Sequence, residues 1–160
     1  MRKQDEQDRL RRQDMDKFEI STLQTSHIEL TAMILRCCFD VINELGAGFL
    51  ESVYKNALFV ALKQKGLRSG VEQSFDVYFR EQKVGFYKTD LIIENSVIIE
   101  LKCCKCLLPE HQAQLINYLA ATKVPVGLLV NFENKKLEYK RLHHPSLHPA
   151  AEGDLAYPVL

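Results

Sequence analysis

The sequence predicts an α/β domain in which a mixed sheet carries helices on its faces. Three observations predict it: two amphipathic helical stripes come first, strand-like segments of alternating or continuous apolar character follow, and one further helix is flanked by such segments. At 160 residues, with 46% apolar and 26% charged side chains, the chain has the composition of a folded protein with one hydrophobic core.

The first 20 residues alternate acidic and basic side chains with almost nothing apolar before Phe18, so they cannot offset the entropy of ordering them. Residues 1–25 are therefore expected to be a charged arm, frayed or forming a solvated helix, ahead of a domain over 26–142. Ser26-His27-Ile28-Glu29 reads as a capping box, and Leu30, Ile34, Cys37/Cys38, Val41 and Leu45 then recur at helical spacing up to Gly46, which suits the left-handed position after a helix. Beyond the Gly46-Ala47-Gly48 turn, Leu50, Val53/Tyr54, Ala57/Leu58, Ala61 and Leu62 make a second stripe that stops at Gly66. Glu51 falls in its first turn, where the helix dipole favours a carboxylate.

From Val71 the period changes. Phe75, Val77 and Phe79 alternate with Ser74, Asp76, Tyr78 and Arg80, a tight turn is expected through Glu81-Gln82-Lys83, and a second strand from Val84 to Ile93. Glu94-Asn95-Ser96 makes the next turn, and Val97-Ile98-Ile99 enters a third strand of the kind a sheet covered on both faces produces. Pro109 opens a helix that ends before Val124-Pro125. Val126 to Val130 reads as a buried strand, Lys135 to Leu142 as a half-exposed one, and residues 143–160 as a loose tail.

Composition excludes some classes. No apolar run reaches the roughly 18 residues of a membrane span, and the N-terminus lacks the apolar core of a signal peptide, so a cytoplasmic protein is expected. Five cysteines, an odd number without wide regular spacing, fit reduced thiols. The formal net charge is zero; from Gly46 to Leu142, 14 Lys/Arg face 10 Asp/Glu, a tilt that an ordinary solvated surface explains as well as a nucleic-acid partner does.

Within that apolar stretch, Asp90, Glu100 and Lys102 stand out. Strand alternation puts Glu100 and Lys102 on one face, and Asp90 and Glu100 lie at comparable distances from the turn at Glu94–Ser96, so their carboxylates can converge. Two buried carboxylates repel, and a divalent cation such as Mg²⁺ or Mn²⁺ resolves the conflict, leaving Lys102 to orient water or offset phosphate charge. A buried ion pair at a sheet edge accounts for the same three residues. Cys103, Cys104, Cys106 and His111 offer poor tetrahedral geometry for zinc; the cysteines read as small buried hydrophobes and His111 as a surface histidine. The Gly46–Gly48 turn lacks the Lys-Ser/Thr of a phosphate-binding loop.

Asp90, a spacer and Glu100-Leu101-Lys102 resemble the D…ExK signature of the PD-(D/E)XK nuclease superfamily. The surrounding sequence resembles one branch, the GxxExxY proteins: Gly48-Phe49-Leu50-Glu51-Ser52-Val53-Tyr54 fits the naming motif, and the similarity continues through EHQAQLINYL, VGLLVNF and LEYKRL, over roughly residues 28–142. The resemblance implies a restriction-endonuclease-like, three-layer α/β/α sandwich with a mixed central sheet. It implies a nuclease hydrolysing phosphodiester bonds of nucleic acid, above all DNA, with Mg²⁺ or Mn²⁺ held by Asp90, Glu100, the Leu101 backbone carbonyl and Glu51. Lys102 is then the catalytic lysine, and Gln114 and Tyr118 resemble a substrate-orienting QxxxY motif. Ile42 and Ala47 depart from the histidine and proline common in relatives, and the cysteines after Lys102 replace aliphatic or acidic residues. A non-catalytic binding domain with this fold and a small-molecule phosphodiesterase are the other readings, and a second copy or another protein is a candidate partner.

Overall fold

A computed structural model describes residues 27–147. The chain divides into two compact units, residues 1–36 and 37–160. Helix α1 is described over 27–45, so its first part falls in the first unit and the rest in the second. The expected N-terminal arm, Ser26 of the capping box and the tail beyond 147 lie outside the described residues. In the first unit Thr31 is buried, and its hydroxyl bonds back to the His27 and Ile28 carbonyls at 2.8 and 3.0 Å.

Everything that follows belongs to the second unit. The α1 segment ends where the Gly46 amide donates to the Ile42 carbonyl at 2.9 Å, with Gly46 at φ +78°. Gly48 has φ +101°, and no neighbour would touch a Cβ there, so the backbone angle alone calls for glycine. The Tyr54 hydroxyl holds this turn, donating to the Gly46 carbonyl at 2.7 Å and accepting from the Phe49 amide at 3.2 Å. Helix α2, Glu51–Gln64, begins directly after it and buries Tyr54, Leu58 and Leu62.

Strands β1 (Ser69–Val71), β4 (Leu91–Ile93), β5 (Val97–Lys102), β6 (Val126–Asn131) and β7 (Glu138–His143) form one sheet in the order β1-β4-β5-β6-β7. The β5–β6 pairing is parallel and the other three are antiparallel, which makes the sheet mixed. Strands β2 (Ser74–Phe79) and β3 (Gln82–Lys88) form a separate two-stranded sheet. Helix α3 (Pro109–Thr122) joins β5 to β6, with Pro109 at its start and Lys123 in the left-handed conformation (φ 60°) after its end.

The expected strand from Val84 to Ile93 is thus two strands. The chain passes from the hairpin into the main sheet at Thr89–Asp90, where the Thr89 amide donates to the Gln73 carbonyl at 3.0 Å and the Asp90 carbonyl accepts from the Glu72 amide at 3.1 Å. These long-range bonds interrupt a locally uniform pattern. The hairpin turn sits one residue earlier than expected, at Arg80 and Glu81, both with positive φ (48° and 64°), which matches the right-handed twist of a two-residue hairpin. Strand β1 carries no pattern of its own and exists by pairing with β4.

Both faces of the central strands are covered, since Ile98, Ile99, Leu101, Leu128, Leu129 and Val130 have no exposed surface. On one face α3 sets Leu115 and Leu119 against Ile92, Ile98 and Leu129. Gly127 is the close-approach point: a Cβ there would lie 2.9 Å from Leu115 Cγ. Gly127→Ala is therefore expected to destabilise the protein by about 1–3 kcal/mol. Gly85→Ala, where a Cβ meets nothing within 4 Å, is the control. Thermal unfolding checks this, and equal midpoints for the two variants would refute tight packing at Gly127.

Beyond the last β5–β6 rung, Lys102 opposite Asn131, the chain turns outward. Buried Asn131 receives the Cys104 amide on Oδ1 (3.1 Å) and gives Nδ2 to the Cys104 carbonyl (2.7 Å) and to Glu138 Oε2 (3.3 Å). Strand β5 has ended by then, so alternation does not extend to the cysteines. Cys104 packs partly against the α3 core, but Cys106 is exposed, which corrects its reading as a buried hydrophobe. No described helix is long and apolar enough to cross a membrane.

Candidate active site

The β4–β5 ladder places Leu91 opposite Ile99, so the next position outward sets Asp90 beside Glu100. The ladder has ended there, and the Leu101 amide has lost a backbone acceptor. Asp90 supplies one instead: its Oδ2 accepts from the Leu101 amide at 2.8 Å. The break at Thr89–Asp90 is what turns this carboxylate toward β5.

Glu100 is largely buried, and its Oε1 has no hydrogen-bond partner. Burial first, and then the Asp90 carboxylate, push its carboxyl up to about 8, against the opposing pull of Lys102. Glu51, at the start of α2, is pushed up in the same way, by partial desolvation and then by Asp90, while Lys102 and Lys55 pull it down. Glu51 is an exposed residue, so its desolvation is only partial.

Gln114 and Tyr118 lie one helical turn apart on α3, and the Tyr118 phenol is raised by burial and by the charge of Glu100, with the Gln114 side chain opposing. Behind Tyr118 lies the Tyr87 ring, parallel within 6° at a centroid distance of 3.6 Å, and Phe75 stacks on Tyr87 at 5.6 Å. Burial raises the Tyr87 phenol to about 12, so it stays protonated.

Asp90, Glu100 and Lys102 are therefore gathered at one end of β5, with Glu51 and the Gln114–Tyr118 pair electrostatically coupled to them. Among the described residues no three His, Cys, Asp or Glu side chains form a ready-made metal cluster. Two adjacent carboxyls, one with an orphaned buried oxygen, nevertheless fit a divalent cation, which would satisfy Oε1 and cancel the repulsion.

The profile of the PD-(D/E)XK nuclease superfamily matches residues 28–142. The chain belongs to this superfamily. Its fold class is accordingly that of a restriction-endonuclease-like nuclease. Among solved structures, the PD-(D/E)XK chain is similar to a protein designated SSO0001 (20% identity, 59% of this chain and 50% of that one, TM-score 0.48). It is similar to an alkaline exonuclease from Laribacter hongkongensis (14% identity, 59% and 55%, TM-score 0.47), and to the structure of LHK-Exo with dAMP (12%, 71% and 82%, TM-score 0.42). The chain thus spans about half the length of the first two. No curated protein matches.

Lys55 is a site neighbour that the sequence reading passes over. It stands one turn after Glu51 on α2, is ion-paired to Glu72 at 2.7 Å with its side chain only 14% exposed, and acts electrostatically on Glu51 and Asp90. The i, i+4 spacing from Glu51 was the available signal. Tyr87 was hidden by strand alternation. His111 serves α3 itself, its Nδ1 accepting from the Leu108 amide at 3.0 Å.

The site carries a pH signature. Glu100 binds its proton up to about 8 in the folded protein and only to about 4.5 when unfolded, so the folded state holds the extra proton between those values. Stability of the metal-free protein is then expected to fall as pH rises from 5 to 8, by at least roughly 5 °C in melting temperature, with Mg²⁺ or Mn²⁺ restoring it increasingly toward pH 8. A melting temperature flat over this range in EDTA would contradict the burial of Glu100.

Proposed function

We propose that this chain is a metal-dependent nuclease of the GxxExxY type, hydrolysing phosphodiester bonds of nucleic acid, DNA foremost. The observation that carries this reading is the buried, unpartnered Glu100 Oε1 beside Asp90, with Lys102 next on the same strand face. Asp90 and Glu100 would hold Mg²⁺ or Mn²⁺, with the Leu101 carbonyl and Glu51 as further oxygen donors. When bound, such an ion supplies positive charge for the phosphate oxygens and a bound water of lowered pKa.

The remaining work falls to the chain. Lys102 orients the attacking water and faces the negative charge that grows on the phosphate. Glu51, its carboxyl raised by partial burial and by Asp90, accepts hydrogen bonds or a proton at the mouth of the site. Gln114 and Tyr118 orient substrate, with the Tyr118 ring fixed by its stack on Tyr87. Exposed Lys88 and Lys105 contact backbone phosphates.

The test is incubation of the purified chain with labelled linear and circular, single- and double-stranded DNA and RNA, with Mg²⁺, Mn²⁺ or EDTA. Cleavage with metal and none in EDTA is the expected result. No cleavage on any substrate, together with no heat of metal binding in calorimetry, would leave a binding domain that keeps the fold.

A further inference from the structure

The β2–β3 hairpin is detached from the main sheet and shows two unlike faces. Its rear carries Phe75 and Tyr87, which stack on each other, and Tyr87 stacks in turn on Tyr118, anchoring the hairpin to α3. At its far end β3 runs through Thr89 directly into Asp90. Pairing of Asp76 with Phe86 and of Tyr78 with Lys83 puts those four side chains together on the front. There Tyr78 is 63% and Phe86 61% exposed, while Phe79 (61%), opposite Gln82, stands at the tip on the side of Phe75, beside exposed Val84 (62%).

Cations stand at these rings. The Lys83 ammonium lies 5.7 Å from the centre of the Phe86 ring and 2.9 Å from Asp76, and the Arg80 guanidinium lies 5.1 Å from the centre of the Phe79 ring. The Lys83–Asp76 pair is itself exposed, so exchanging the carboxylate for a phosphate costs little.

We propose that the front of this hairpin is a stacking platform for unpaired nucleotides, which selects single-stranded nucleic acid or single-stranded ends and leads them to the site; this rests on the nuclease reading above. Flat, solvent-exposed rings accept the faces of bases, and a duplex keeps those faces stacked away and offers only edges and phosphates. Two exposed rings with the Lys83 cation beside them offer base faces and a phosphate contact together. The stack through Tyr87 to Tyr118 and the direct run into Asp90 connect the platform to the site without an intervening loop.

The experiment is fluorescence anisotropy of the wild-type chain in EDTA with a labelled single-stranded oligonucleotide and its blunt duplex, repeated for Tyr78→Ala, Phe86→Ala, the double variant, and the pair Tyr78→Phe and Phe86→Tyr. Single strand is expected to bind tighter than duplex. Each alanine variant should weaken single-strand binding about tenfold, and the aromatic replacements should keep it. The slope of affinity against salt should stay unchanged, because rings rather than phosphate contacts are lost. Unchanged single-strand affinity in the double variant overturns the proposal, as does equal loss for single strand and duplex. So does a wild-type dimer in sedimentation that the double variant dissociates without loss of single-strand binding, which would make this face a contact between copies. Cleavage with metal separates the readings: cleavage without ring-dependent binding sinks the platform alone, and ring-dependent binding without cleavage sinks the nuclease reading alone.

Discussion

Lys102→Ala is expected to lower the rate of nucleic-acid cleavage by at least about 10³-fold, roughly 4 kcal/mol of transition-state stabilisation, while the protein stays folded. Lys102 is the last residue of β5 and is half-buried, and the backbone bond at this position, from the Phe132 amide to the Lys102 carbonyl at 2.8 Å, does not involve its side chain. Its ammonium acts on Glu51 and Glu100 together, so the substitution removes the positive charge shared by both carboxyls. Lys102→Arg keeps the charge, but its planar fork cannot replace a compact ammonium, and it is expected to recover only a small part of the rate. Single-turnover cleavage with circular dichroism on the same samples checks this. An alanine variant with wild-type rates would remove Lys102 from the chemistry.

Glu100→Gln is expected to abolish metal-dependent cleavage and metal-induced stabilisation, and at the same time to make the metal-free protein more stable at pH 8. The second effect separates a ligand from a structural residue. Ionising Glu100 in its buried position beside Asp90 costs on the order of 2 kcal/mol or more at pH 8, and the isosteric amide carries no charge to desolvate. The variant should therefore melt roughly 5 °C above the metal-free wild type at pH 8 and near it at pH 5, where wild-type Glu100 is already neutral. A variant less stable than wild type at both pH values would mean that Glu100 belongs to a structural network instead.

Much of this site was readable in the sequence, because its central pair is local. A turn at Glu94–Ser96, with Asn95 at φ 53°, fixes Ile93 opposite Val97, two more rungs reach Leu91 opposite Ile99, and the next position sets Asp90 beside Glu100. The helix-start position of Glu51 is equally local, set by Gly48 and the Tyr54 hydroxyl. Sequence periodicity failed where distant segments decide. Nothing between Val84 and Ile93 announces the break at Thr89–Asp90, since its cause is residues 72 and 73. The separation of the hairpin from the main sheet and the existence of β1 have the same origin. Lys55 escaped notice because its ion-pair partner, Glu72, lies 17 residues away in the sequence.

The Asn131 amide makes a particular kind of error expensive. Strands β5 and β6 are apolar and buried along most of their length, and such strands can slide past one another by a residue at little hydrophobic cost. A one-residue slide would carry Glu100 and Lys102 to the opposite side of the sheet, away from Gln114 and Tyr118. It would also pull Asn131 from the Cys104 backbone and leave a buried amide with its donors and acceptor unmet, a loss of roughly 1–3 kcal/mol for each such group. The side chain at the final rung thus discriminates against the misaligned protein, and the facing of the two site residues is guarded by an amide on the neighbouring strand.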